Sequence, residues 1–223
     1  MAPAITSLGR WLRLFTLCLL LPGGGATAAA PPMTRQQALQ ALSHPQALQR
    51  QAAVARLADL GQMADSRRVA ERLRDEDADV RRLAGSALWM IWSRSGDKAI
   101  DRLFERGMRQ MGEGELDAAL ASFDRVVRLK PAFAEGWNKR ATVHFMLGDD
   151  EASLHDCRET LKRNPLHFGA LSGMAHIHLR RGDAELALQA YTRALQANPN
   201  LEDGPEMLEL LEDAVRRHGG QRT

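Results

Sequence analysis

Aromatic side chains make up only 5% of this 223-residue chain, and Tyr191 is its one tyrosine. Sheet cores draw on aromatic and β-branched residues, so the shortage argues against a β-rich fold. Ala, Leu, Arg and Glu dominate instead, and all four favour helix. Cysteine is scarce as well, with only Cys18 and Cys157. An excess of one charge sign is also missing: 30 Lys and Arg face 28 Asp and Glu. Arg10 and Arg13 are the only charges before residue 31, so the rest of the chain carries 28 of each sign. No strong basic field remains there to hold a phosphate backbone or an anionic surface, and nucleic acid is not expected as a partner.

Long hydrophobic runs are lacking too. The apolar stretch from Leu14 to Leu21 is shorter than the roughly 20 residues that span a bilayer. It follows Arg10 and Arg13, ends at Pro22 and Gly23 to Gly25, and leads into Ala26-Thr27-Ala28-Ala29-Ala30. Basic, apolar and small segments in that order predict a cleaved secretion signal over residues 1–30. The mature chain is then expected in a bacterial periplasm or secreted, without stable membrane insertion. Cys18 is a poor lipid anchor, because the bulky Leu17 precedes it. Cys157 alone would remain after cleavage, which excludes an internal disulfide and predicts a small, buried, apolar role.

What is present is a period. Pro131, Pro165 and Pro199 stand 34 residues apart, as do Gly114, Gly148 and Gly182. Such spacing marks a repeat array. Each unit reads as two helices: 134–147 with 150–162, and 168–180 with 183–197. An earlier unit begins near Ile100, turns at 112–115 and ends near Lys130. The glycine supplies a left-handed helix cap, and the proline blocks continuation of the second helix. Small residues at Ala119, Ser153 and Ala187, and at Ala141 and Ala175, let helices approach. Larger ones at Phe123, Cys157 and Tyr191 fill the seam. Past Asn200, Pro205 and the stripe Met207, Leu208, Leu211, Ala214 and Val215 predict a C-terminal capping helix over 201–218.

These residues resemble the tetratricopeptide repeat family. The match is carried by Trp137 to Ala141, Gly148-Asp149-Asp150-Glu151-Ala152-Ser153 and Asn164-Pro165, and by Gly182-Asp183-Ala184-Glu185-Leu186-Ala187 with Tyr191, Ala194 and Asn198-Pro199. Gly114 to Ala119, Phe123 and Pro131 add the first unit. Thr160 replaces a usual small alanine, and only Trp137 fills the aromatic opening position.

Residues 33–96 show a weaker similarity at 31 residues: Arg50, Ala53 and Leu57 return as Arg81, Ala84 and Leu88, and Leu42 as Leu73. Four helices are expected, over 35–42, 46–60, 66–74 and 79–93, with Asp65 and Asp79 as start signals. Residues 49–57 and 79–88 resemble the second helix of a HEAT repeat. The run Asp75-Glu76-Asp77 reads as a solvated turn. The expected fold is therefore all-α: a right-handed α-solenoid of antiparallel helix pairs, with three tetratricopeptide units over 97–200 preceded by HEAT-like helices over 33–96. Trp89 and Trp92 share a helix face and are expected to pack at the junction or contact a partner. One continuous superhelix is expected across Ser95-Gly96-Asp97.

The resemblance implies a concave groove lined by the first helix of each pair, and a protein or peptide as partner. Its partner-binding positions transfer to Phe104, Met108 and Met111, to Asn138, Thr142, Phe145 and Met146, and to His176 and Arg180, with Asp101, Glu135, Gly169, Ser172 and Leu179 alongside. The family's carboxylate clamp maps to Phe104, Met108, Lys139, Gly169 and Gly173. Only Lys139 is charged, so that clamp is not expected. The sequence holds no zinc-protease, phosphate-loop or nucleophile-elbow motif. No cofactor, metal or enzymatic activity is expected, and the expected role is a scaffold or adaptor in the periplasm or cell envelope. The alternatives are a structural subunit of an envelope complex or an enzyme accessory.

Overall fold

Thr34 opens the first helix with a reciprocal cap: its hydroxyl accepts from the Gln37 amide, and the Gln37 side chain accepts from the Thr34 amide. A computed structural model of the chain describes residues 32–219. The leader expected over residues 1–30, with Cys18, lies outside them. The first region holds α1 (Arg35–Ala41), α2 (Ala47–Leu60), α3 (Ser66–Ala70) and α4 (Ala78–Trp92). The expected helix over 66–74 is α only to Ala70 and tightens to a 3-10 turn at Glu71–Arg74. Of the two start signals, neither works as expected. Asp77 caps α4 through the Val80 amide, leaving Asp79 in the first turn. Asp65 instead pairs with Arg35 and accepts from the Gln62 amide.

The 31-residue similarity has a physical counterpart. Arg50 donates to the carbonyls of His44 and Pro45, and Arg81 to those of Asp75 and Glu76, one period later. Each guanidinium ties the turn before its own helix to that helix. Ala53 and Ala84, Leu57 and Leu88, and Leu42 and Leu73 are buried in matching pairs. Asp75 corrects the solvated-turn reading. It is 8% exposed and receives Arg50 at 2.7 Å, because a buried guanidinium needs a carboxylate beside it.

The array follows as α5 (Lys98–Gly112), α6 (Leu116–Leu129), α7 (Ala134–Leu147), α8 (Asp150–Arg163), α9 (Phe168–Arg180) and α10 (Ala184–Ala197), closed by α11 (Gly204–Gly219). Among the described residues there is no strand. Gly114, Gly148 and Gly182 have φ of 80°, 84° and 80°, a region where a Cβ is costly. That is why the glycine recurs at the turn inside each pair. Ala119, Ser153 and Ala187 are buried where paired helices touch, and the Ser153 hydroxyl spends its proton on the Ala141 carbonyl at 2.7 Å. Phe123, Cys157 and Tyr191 fill the seams at 0%, 3% and 0% exposure. Leu211 of α11 packs into the cluster around Tyr191, and the Tyr191 hydroxyl donates to Asp203 at 2.9 Å. No helix among the described residues is long and apolar enough to cross a membrane.

The first region does not continue the array by stacking on α5. Its apolar core, with Leu57, Leu88 and Ile91, runs instead into Phe168, Leu166, Ala197 and Leu201. The core of the first repeat, around Ile100, Phe104 and Phe123, is separate. Two long-range hydrogen bonds fix the same seam: Arg74 donates to the Gln196 carbonyl, and Asn200 to the Leu73 carbonyl. Gly96, at φ 77°, lets the chain turn back between α4 and α5. The expected single superhelix is thus replaced by a region folded against the turns that join the repeats. The reason is apolar: Trp89 and Trp92 find aromatic partners there.

Candidate functional site

The seam is built on α4. Trp92 is 2% exposed and stacks on His167 at 4.8 Å, and Trp89 meets Phe168 edge-on at 5.1 Å. Close approach needs a missing side chain: a Cβ on Gly169 would lie 2.4 Å from Cη2 of Trp89. His167 accepts from the Ala170 amide through Nδ1, so its proton sits on Nε2 and points to Glu135, 2.7 Å away. Asn138 donates to both Glu135 oxygens, and Lys139 lies 3.3 Å from Oε1 and over the Trp89 ring. Burial pushes the Glu135 carboxyl up, but the His167 hydrogen bond and the Lys139 charge outweigh it and hold the carboxyl below its ordinary range.

This network closes one end of the groove. Beyond it, α7 and α9 leave a cavity of about 240 Å³ lined by Asn138, Thr142, Phe145, Ser172, Gly173 and His176. Its wall is mostly apolar, with Cys157 at the edge of the seam. Burial pushes the Cys157 thiol up to about 12, so it is a packing group and not a nucleophile. Gly173 makes the room: a Cβ there would stand at ordinary contact, 3.6 Å, from Cys157 Sγ.

The predicted groove residues separate into three kinds. Asn138, Thr142, Phe145 and His176 come together around the cavity. Asn138 is 6% exposed and its amide is spent on Glu135. Arg180 borders the same helix faces; its guanidinium covers the Phe145 ring and pairs with Asp150. Met146 is half exposed, while Met108 and Met111 are partly covered by the core of the first repeat. Phe104 is a correction: it is 5% exposed and packs edge-on against Phe123 and Phe133 at 5.7 and 5.3 Å, so it belongs to that core and not to an open groove. Trp92 is equally unavailable to a partner, since it lies inside the seam. Sequence reasoning missed His167 altogether. Its signal was its place two residues past Pro165, at the start of a helix, where a side-chain acceptor is favoured.

Lys139 is spent on Glu135 and Trp89, so the one cation at a clamp position is not free to hold a peptide carboxylate in the groove. Among the described residues, no three His, Cys, Asp or Glu side chains gather in a way that would hold a metal ion.

Comparison with known proteins agrees with this geometry. A profile described as tetratricopeptide repeat matches residues 104–159 and 151–202. A TPR repeat-containing protein of Rhizobium etli is 34% identical over 150 residues, which span 67% of this chain and 72% of that protein. The Sgt2 TPR domain from Aspergillus fumigatus is similar in structure, with a TM-score of 0.52 at 19% identity over 55% of this chain and 83% of that one. The first TPR of Spaghetti (RPAP3), solved bound to the HSP90 peptide SRMEEVD, gives 0.51 at 21% identity over 52% and 93%. At such identities the two solved structures speak for the fold alone. The chain belongs to the tetratricopeptide repeat family.

Proposed function

We propose that this chain is a protein-interaction scaffold that holds one apolar side chain of an extended peptide between its second and third repeats. The observation that carries the reading is the cavity between α7 and α9. It measures about 240 Å³, below the roughly 300–1,000 Å³ usual for small-molecule sites. A single side chain suits it better than a cofactor. The polar rim groups Thr142 and His176 offer hydrogen bonds to a peptide backbone. The Spaghetti repeat supports the reading, since it was solved with a bound peptide, although the one cation at this chain's clamp positions, Lys139, is already paired with Glu135. The basic–apolar–small order of residues 1–30 supports a site of action outside the cytoplasm. The rival role as a subunit docking through Trp89 and Trp92 loses much of its contact surface, because Trp92 is buried and Trp89 is partly covered by His167 and Phe168.

A display library of short peptides, screened against the full chain and against Gly173→Leu, tests the groove. Peptides sharing an apolar anchor should be retained by the native chain and lost by the variant, with both giving the same helical circular dichroism. Retention by both, or by neither, would remove the groove from the function. Fusing residues 1–40 to a reporter active only after export tests the location. An inactive, cytoplasmic fusion would overturn it.

A further inference from the structure

A second cavity lies outside the groove, where α4 meets the turn between α10 and α11. It measures about 430 Å³, within the range usual for small-molecule sites. Trp89, Phe168 and Leu201 form its apolar wall, and Arg81, Asn198 and Glu202 bring polar groups to it. Gly85, inside α4, lines it as well. Helix propensity disfavours glycine there, so packing should explain it, as it does elsewhere. At Gly107, Gly136 and Gly169 a Cβ would stand 2.8, 2.7 and 2.4 Å from a neighbouring side chain. At Gly85 it would meet only Leu73, at an ordinary 3.9 Å. The packing of the chain does not require this glycine; what its missing side chain leaves is room in the cavity.

The polar groups around it keep unused donors and acceptors. Asn198 is 5% exposed. Its Oδ1 accepts from the Asn200 amide at 3.0 Å and from the Asn200 side chain at 3.3 Å, while its Nδ2 has no partner among the described residues. Arg81 gives Nη1 to the Asp75 and Glu76 carbonyls, which fixes the guanidinium and leaves Nε and Nη2 without a partner among the described residues. Glu202 is exposed and forms no ion pair or side-chain hydrogen bond among the described residues. Arg82, also on the lining, is paired with Asp79. One cavity thus carries a cation and an anion, Arg81 and Glu202, that do not pair with each other.

We propose that this cavity binds a free α-amino acid with a large apolar side chain. Unpaired charges of both signs ask for a ligand that carries both. The ammonium meets Glu202, and the carboxylate meets Arg81 with the Asn198 amide as a second donor, so each end gains a charge-assisted hydrogen bond. The side chain lies along Trp89, Phe168 and Leu201. A peptide end presents only one of the two charges, and a phosphate has neither the ammonium nor the apolar body. The site needs both parts of the chain, since Arg81, Gly85 and Trp89 come from the first region and the rest from the array and its C-terminal turn. It also gives the fold-back of α4 a role beyond closing the core. It is separate from the groove between α7 and α9, and neither depends on the other.

L-Phenylalanine is the probe, with N-acetyl-L-phenylalanine and L-phenylalaninamide as controls, read by amide chemical shifts of the full chain. For a ligand of this size, binding of roughly millimolar strength is expected. Phenylalanine should shift Gly85 and Leu201. Each control lacks one of the two charges and should bind about tenfold more weakly, the loss of one charge-assisted hydrogen bond. Glu202→Gln should weaken phenylalanine to the same degree and leave the N-acetyl compound unchanged. Gly85→Leu, which fills the cavity, should abolish binding. Both variants should melt no lower than the native chain, because Glu202 supports no partner and leucine favours helix. Phe145→Ala, in the groove, should leave the phenylalanine shifts as they are. Equal binding of either control, undiminished binding by Glu202→Gln or by Gly85→Leu, or no shift with phenylalanine would overturn the assignment.

Discussion

Nε2 of His167 sits 2.7 Å from Oε2 of Glu135, and neither side chain is exposed to solvent. The two come from positions 32 residues apart, at the starts of successive repeats, and Trp92 stacks on the imidazole from the far side. One hydrogen bond therefore ties two repeats to each other and to the N-terminal region.

Removing the donor should be costly. His167→Ala leaves the Glu135 carboxylate buried without its closest partner, and loss of about 3–5 kcal/mol is expected. Chemical denaturation with tryptophan emission as the signal measures it. A loss under about 1 kcal/mol, the scale of an exposed pair, would show that the bond does not hold the seam.

The same carboxyl sets a pH dependence. Its folded pKa lies below the ordinary 4.5, so the unfolded chain takes up a proton first as pH falls. The stabilisation is whole above about 4.5 and is lost progressively as pH drops through the folded value. Asp75 and Asp65, also held low beside Arg50 and Arg35 against the opposing effect of burial, act in the same direction. Melting curves between pH 7 and 3 should fall less steeply for Glu135→Gln than for the native chain, with the two aspartates supplying the remaining slope. Parallel curves would contradict the role given to Glu135.

Gly169→Ala should loosen the N-terminal region. Helix propensity favours the alanine by about 1 kcal/mol, but its Cβ cannot share space with the Trp89 ring, and overpacking of this kind costs about 1–3 kcal/mol. Faster limited proteolysis near 93–97 is the expected readout.

Gly173→Ala should do the reverse. Its Cβ meets Cys157 at ordinary contact distance, so helix propensity and a narrower unfolded ensemble should stabilise the chain by about 0.5–1 kcal/mol. A raised melting temperature together with weaker peptide binding is expected, since the methyl also enters the groove cavity.

Cys157 should be inert while the chain is folded. With its thiol raised to about 12, almost no thiolate exists at pH 8, and the residue is only 3% exposed as well. A disulfide reagent should react at the unfolding rate in native buffer and within seconds in denaturant. Fast labelling in native buffer would contradict the packing role.

The 34-residue array was legible in the sequence because its causes are local. Glycine at a positive φ, proline after a helix and small residues where helices touch recur at fixed spacing, and each acts within a few residues of itself. Thr142, Phe145 and His176, carried over from the family resemblance, line one cavity. What the tertiary structure decided was where the N-terminal region lies. Trp89 and Trp92 advertise a need for burial but carry no address. Phe168, His167 and a side-chain gap at Gly169 provide one only when α9 is already stacked on α7. The same holds for Phe104, whose position fits an open groove and whose burial depends on Phe123 and Phe133, and for Asp75, which looks solvated until Arg50 arrives from another helix. Periodicity is written along the chain, whereas pairing between distant residues exists only once the chain has closed on itself.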